Sequence, residues 1–379
     1  MIPCQRHLFD IPRDVAYLNC AYVSPIPTTS RAAGDAGMAR KSTPWTIKSQ
    51  DFFSESEAAR SLFAELIGAT AEDIAIIPSV SYGIGIAAAN AAFNWGQTVV
   101  VLEEQFPSNV YPWRQLATEK GGTIITIPSP NDGDWAAAVS NVIDDRTAVV
   151  ALPHCLWTDG SLIDLERVSG ACKKNGAALV IDATQSLGAL PFDVTRVKPD
   201  FLVSACYKWL LGPYSLGFIY VSPEHQSGQP LEQTWIGRKN SDDFTSLINY
   251  RDTFQPGARR FDVGERSNFA LMPVARSSLE LIKEWGVDRI AKTLGAFTHD
   301  IATRAQTLGL TSQPEDRRAN HFLGIRFPDG MPSDLVEKLS TAGVHVSVRG
   351  TAMRVTPHLY NDVEDVDRLF NALEALVRA

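Results

Sequence analysis

The sequence predicts an α/β protein: a large domain built on a mainly parallel seven-stranded sheet, followed by a smaller C-terminal α+β domain. Three observations carry this. Short, continuous apolar runs recur from Ile74 to Val221 and alternate with helix-compatible stretches, as expected for strands buried on both faces of a parallel sheet. Beyond Val221 the alternation stops, and a polar, Gly- and Pro-punctuated stretch leads into a separate helix–strand pattern. Two of the apolar runs also end in charge, at Asp182 and close to Lys208, and the carboxyl ends of parallel strands line a ligand crevice.

In chain order, residues 1–20 read as an N-terminal arm with an extended piece at Val15–Leu18, and Val23–Pro27 as a Pro-rich loop. The large domain spans 21–255. It opens with a helix over Ser54–Ile67, whose apolar residues fall at helical spacing and which Gly68 stops. Strands follow at Ile74–Ile77, Thr98–Leu102, Thr123–Ile127, Thr147–Leu152, Ala178–Ile181, Phe201–Ser204 and Gly217–Val221, with helices between them such as Tyr111–Lys120 and Leu165–Asn175. The small domain, 256–379, carries a helix at Leu271–Trp285 and a further helix. After these come a strand at Phe322–Phe327, a helix at Asp334–Ala342, strands at Val344–Val348 and Ala352–Thr356, and a last helix from Asp362.

Composition narrows the class. A chain of 379 residues with 45% hydrophobic and 21% charged residues can bury a large core. Its net charge of −8 speaks against nucleic acid or an anionic membrane as main partner. Its five cysteines are scattered without a C-x-x-C pair, so no disulfide scaffold is expected. The N-terminus lacks the basic and apolar regions of a secretion signal, and no apolar run reaches the roughly 18–20 residues of a membrane span. A cytoplasmic enzyme is the expectation.

Lysine prefers water, so Lys208 just beyond a buried strand asks for a reason. With Asp182 at a neighbouring strand end, one reason is a Schiff base on Lys208, the acid tuning a bound cofactor ring and Gln185 reaching its hydroxyl oxygen. A capping aspartate and a surface lysine would give the same spacing. Ile77-Pro-Ser79-Val80-Ser81-Tyr82-Gly83 places hydroxyls and free N–H groups at a helix start, an anion cup or a plain cap. The same stretch, read as Gly83-x-Gly85-x-x-Ala88 with Glu103 beyond, imitates a dinucleotide fingerprint, but Gly83 follows its strand at too great a distance. Phe106 can stack on a flat ring or belong to the core. Arg354, inside an apolar strand, suits a carboxylate ligand or a structural ion pair. Histidine and cysteine spacings fit no metal site, and no G-x-S-x-G elbow is present.

From Tyr17-Leu18-Asn19 to the final helix, the pattern resembles the class V aminotransferase family of fold type I pyridoxal-phosphate enzymes, which includes cysteine desulfurases, kynureninases and isopenicillin N epimerase-like proteins. The resemblance implies pyridoxal 5'-phosphate as cofactor, Lys208 as Schiff-base lysine, Asp182 as partner of the ring nitrogen and Gln185 at the ring hydroxyl. It further implies Phe106 stacking on the ring, Val80, Ser81 and Tyr207 at the phosphate, and His154 near the ring. It implies a homodimer with shared active sites, Ser267 and Trp235 reaching the partner's cofactor. Arg354, with Asn19, would bind the substrate carboxylate. The desulfurase branch carries sulfur on a C-terminal cysteine; here the last cysteine is Cys206. Kynureninases have histidine where Gln185 stands.

The expected function is therefore a pyridoxal-phosphate enzyme acting on a small amino acid, Lys208 taking the Cα proton as general base. Aminotransfer leads because no extra nucleophile or leaving-group acid is visible. A Cβ lyase or hydrolase and an epimerase are the alternatives within the class. Outside it stand a dinucleotide-dependent oxidoreductase and a non-enzymatic cofactor-binding domain.

Overall fold

The seven expected strands form one sheet. The computed structural model describes residues 1–377. After a short arm strand β1 (Ala16–Tyr17) come β2 (Ile74–Ile77), β3 (Thr98–Leu102), β4 (Thr123–Ile127), β5 (Thr147–Pro153), β6 (Ala178–Asp182), β7 (Phe201–Ala205) and β8 (Gly217–Val221). The sheet runs β2-β8-β7-β6-β5-β3-β4. Neighbours from β7 to β4 pair in parallel, whereas β8 is antiparallel to both β7 and β2. Residues alternate between the faces. Ile76, Val150, Ile181 and Leu202 enter one core with Phe63, Val168 and Leu279, and Ile77, Val101, Val180 and Val203 enter the other with Ile84 and Trp113.

Among the described residues there are eleven α-helices: α1 (Thr28–Ala39), α2 (Ser54–Leu66), α3 (Val80–Asn90), α4 (Tyr111–Glu119), α5 (Trp135–Ser140), α6 (Leu165–Asn175), α7 (Val194–Val197), α8 (Leu271–Trp285), α9 (Val287–Thr307), α10 (Leu335–Thr341) and α11 (Val363–Val377). Helix α1 was not expected from the sequence. Its buried residues are Ser30, Gly34 and Gly37, and a Cβ on Gly37 would run into the Phe269 carbonyl, so it packs through smallness rather than an apolar stripe.

The C-terminal sheet runs β12 (Ser347–Arg349), β13 (Ala352–Val355), β10 (Leu323–Arg326), β9 (Thr311–Ser312). The expected single strand at Val344–Val348 is divided: β11 (Val344–His345) pairs in parallel with β1, while β12 joins β13. The arm thus belongs to the small unit, whose core gathers Ala16, Leu18, Ile301, Leu323, Met353, Val355 and Phe370. Beyond the expected boundary at 255/256, the chain still packs on the large sheet. Asp262 accepts from Ile76 N–H at 2.7 Å and pairs with buried Arg60 at 2.7 Å, and α8 contributes Met272, Ala275 and Leu279 to the large core. Among the described residues no helix is long and apolar enough to cross a membrane.

Candidate active site

The carboxyl ends of β5, β6 and β7 and the start of α3 converge on a cavity of about 230 Å³, lined by Ser81, Phe106, Asp182, Gln185, Tyr207 and Lys208 among others. Val80 lines it too. Asp182, the last residue of β6, is 7% exposed and accepts from the Thr184 N–H at 3.0 Å. Burial raises its pKa, opposed by the Thr184 hydroxyl and N–H and by Lys208. It has no cation within 4 Å among the described residues.

Lys208 follows β7 in the loop that turns back into β8, a loop closed by the Leu211 N–H to the Lys208 carbonyl (3.0 Å) and the Gly212 N–H to the Cys206 carbonyl (2.9 Å). A side chain on Gly212 would meet Cys206 Cβ at 2.9 Å, so the tight return needs glycine. Burial is the main force on the Lys208 amine and lowers its pKa. Asp182 pulls it up and the Arg354 and Arg349 guanidinium groups push it down, leaving it at about 8. Its Nζ lies 5.5 Å from the centroids of both the Phe106 and Tyr207 rings.

At the start of α3, Ser79 caps the helix by accepting from the Tyr82 N–H at 3.2 Å, and its hydroxyl lies 2.9 Å from that of Ser81. The N–H groups of Val80 and Ser81 precede the first intrahelical bonds, and both residues line the cavity, so this helix start suits an anion. Gly83 and Gly85 lie inside α3, and a Cβ on Gly83 would meet Ile77 and Val203 at 2.7 Å. Gly83 therefore serves helix–sheet packing, and neither glycine sits in a turn that could wrap a pyrophosphate. That removes the basis of the dinucleotide reading.

Gln185 is held from both sides. Its Oε1 accepts from Trp209 Nε1 at 3.0 Å, and its Nε2 donates to the Ala21 carbonyl at 3.1 Å, leaving one N–H to spare. Arg354 is 1% exposed and has no acid within 4 Å among the described residues. Its Nε and Nη2 donate to Ser347 Oγ at 2.9 and 2.7 Å, and Nη1 to the Trp157 carbonyl at 2.9 Å. Ser347 Oγ in turn donates to Asn19 Oδ1 at 2.8 Å. Asn19 thus supports the arginine through Ser347. Burial without a counter-ion brings Arg354 down to about 10, Arg349 adding to the effect.

Of the expected residues, Arg354 and Asn19 are not part of the cavity lining, and three expected cofactor contacts lie elsewhere. Pro153 and Cys155 line the cavity, and His154 between them points the opposite way, edge-on to Phe192 at 5.3 Å, because successive side chains of extended backbone alternate. Burial holds it neutral, at about 3. The expectation that it sits beside the ring is corrected. Trp235 packs on Phe52 and Phe244 at 6.2 and 5.4 Å, and Ser267 Oγ donates to the Phe52 carbonyl at 2.6 Å. Within one chain neither lines the cavity.

Sequence reasoning missed Trp157, Ser347 and Trp209. Trp157 lines the cavity, meets Phe106 edge-on at 5.3 Å and donates from Nε1 to the Glu104 carbonyl at 2.6 Å. Nothing in its local sequence distinguishes it from a core tryptophan. Cys155 also lines the cavity; its thiol donates to the Gln185 carbonyl at 3.2 Å and burial pushes its pKa well up, so it is held as a neutral thiol.

The architecture is widely shared. A cysteine desulfurase from Thermococcus onnurineus superposes with a TM-score of 0.85 at 20% identity, covering 100% of this chain and 99% of that one. The cystine C–S lyase C-DES does so with a TM-score of 0.82 at 19% identity, covering 95% and 97%. In sequence, the uncharacterized aminotransferase YcbU of Bacillus subtilis is 27% identical over 94% of this chain and 93% of its own length. A probable cysteine desulfurase of Pyrococcus abyssi is 26% identical over 85% and 83%. The sequence model of the Aminotransferase class-V family matches residues 45–369, the span that contains the cavity's acid, lysine and helix start alike. The chain belongs to the class-V aminotransferase family and is a pyridoxal-phosphate enzyme.

Proposed function

We propose that the protein is an aminotransferase acting on a small amino acid. The carrying observation is the pairing of a lysine tuned to about 8 with buried Arg354, a guanidinium that has no acid partner among the described residues. The cavity suits the cofactor: a buried carboxylate without a cation for the ring nitrogen, an amine beside an aromatic face, a spare Gln185 N–H and a helix start for the phosphate. Asp182, Gln185, Phe106, Tyr207, Val80 and Ser81 would hold it there. Bound pyridoxal phosphate supplies an aldehyde and a ring that stabilises negative charge at the substrate Cα. Arg354, kept in place by Ser347 and Asn19, binds the substrate α-carboxylate. Lys208, once free, takes the Cα proton on Nζ and holds it beside the Phe106 face. Asp182 keeps its charge next to the ring nitrogen. In a homodimer, Trp235 and Ser267 would face the partner's site. Their shared position on Phe52, in an aromatic cluster left partly exposed at Trp235 and Phe244, supports this.

Sulfur transfer through an enzyme cysteine is disfavoured by the backbone itself. Between Arg349 and Ala352, paired across β12 and β13, only the turn Gly350-Thr351 intervenes, and Gly350 has φ 53°. No loop is available to carry a cysteine over the substrate. The rival within the class is cleavage at Cβ without such a carrier. Mixing the holoenzyme with single amino acids distinguishes the two. Stoichiometric conversion of the cofactor to pyridoxamine phosphate without a keto acid supports aminotransfer, and catalytic pyruvate or sulfide release without that conversion refutes it. The amine itself is tested by Lys208→Ala, which should bind the cofactor without the visible band of the lysine adduct.

A further inference from the structure

Arg349 is a second cation beside this site, with no ion-pair partner among the described residues. It ends β12, paired with Ala352, while Arg354 lies on the neighbouring β13, so one hairpin presents both. The two guanidinium groups flank one ring: Arg349 Cζ is 5.6 Å from the Trp157 centroid and Arg354 Cζ 6.0 Å from it. Trp157 in turn lines the cavity. Arg354 uses three of its five N–H donors on Ser347 and the Trp157 carbonyl and keeps two. Arg349 donates only to its neighbour's carbonyl, Val348 O at 2.7 Å, and has no acid within 4 Å among the described residues. The nearby acid, Glu104, is exposed and lies beside the Gly350 turn without pairing.

Both arginines act electrostatically on Lys208 in the direction that expels a proton. Of these charges Lys208 and Asp182 line the cavity, while Arg354 and Arg349 stand beside its Trp157 wall and add two positive charges to one buried acid. A single α-carboxylate satisfies Arg354 and leaves Arg349 over. A half-buried guanidinium held against an aromatic face, with most of its fork unused, is a site for a planar oxyanion.

We infer that Arg349 is a specificity-determining residue and that the substrate is an amino acid bearing a second acidic group on its side chain. The first carboxylate rests on Arg354, the second reaches across the Trp157 ring to Arg349. This rests on the amino-acid reading above and narrows it to the acidic class.

The test is binding to the holoenzyme, read as the shift of the cofactor's visible band, for aspartate against asparagine and glutamate against glutamine. At least one acid should bind about ten- to hundredfold more tightly than its amide, as a charge-assisted pair warrants. Arg349→Gln should bring that ratio close to one, and Arg349→Lys should restore part of it, which a merely structural arginine would not do. The thermal unfolding midpoint of each variant reports whether the hairpin still folds. Equal affinity for acid and amide in the native protein overturns the inference, as does a preference that survives Arg349→Gln. If both amides and acids shift the band equally, only the specificity falls. If no amino acid shifts it, the amino-acid reading falls as well.

Discussion

An amine that titrates at about 8 in place of the ordinary 10.5 is a different reagent at neutral pH, and Lys208 offers that contrast for measurement. At pH 8 about half of such a group is unprotonated, against about 0.3% for a solvated lysine, a ratio of about 150. Burial between the Phe106 and Tyr207 rings is the main cause, with Arg354 and Arg349 adding to it and Asp182 opposing. Cofactor-free protein labelled briefly with an amine-reactive reagent, then digested and analysed by mass spectrometry, gives the labelling rate of Lys208 as a function of pH. The rate should rise to a plateau with a midpoint close to 8. Arg354→Gln, which removes one of the repelling charges, should move that midpoint upward, and Asp182→Asn, which removes the attracting one, should move it downward. The opposite signs are the discriminating feature. A midpoint at or above about 10 would show that the amine is solvated and would refute the assignment of burial as the controlling force.

Other perturbations address the neighbours. Asp182→Asn should keep the cofactor's visible band while kcat falls by about 10²–10³, since the ring loses the charge that sustains its pull on electrons; a loss under about tenfold would remove Asp182 from that role. Ser347→Ala deletes the acceptor of two Arg354 donors, so the KM for the amino acid should rise about tenfold with less change in kcat, measured by steady-state kinetics. Gly83→Ala should cost about 1–3 kcal/mol in urea unfolding, because its methyl would meet Ile77 and Val203 at 2.7 Å.

The strands were legible because their chemistry is unambiguous: runs such as Thr-Val-Val-Val-Leu at 98–102 are buried on both faces and leave no other reading. The acid and lysine were legible because charge at the end of such runs is rare. Helix α1 was hidden because its buried face is serine and glycine, which carry no hydrophobic period. The division of Val344–Val348 into two strands was hidden as well, since one half pairs with Ala16–Tyr17, far away in sequence, while the other folds back on the adjacent β13. His154 was placed near the ring by the family resemblance alone; the neighbours on either side of it line the cavity, and strand alternation turns it away. Trp157, Ser347 and Trp209 carry no local signal; each acts by holding a residue that does.

Those holding residues matter because the site is electrostatically uncomfortable when empty of anions. Burying Lys208, Arg354 and part of Arg349 around a single carboxylate leaves positive charge that the surrounding protein does not neutralise. Such an arrangement costs stability. It persists because neutral groups tie it down: the Ser347 hydroxyl, the Trp157 carbonyl and the Asn19 amide for Arg354, and a closed turn for Lys208. A salt bridge to an internal acid would stabilise Arg354 more, but would also occupy the donors that a substrate carboxylate needs. Neutral acceptors fix the guanidinium's orientation and leave its charge unspent. That choice links the fold of the β12–β13 hairpin to the recognition of anionic ligands.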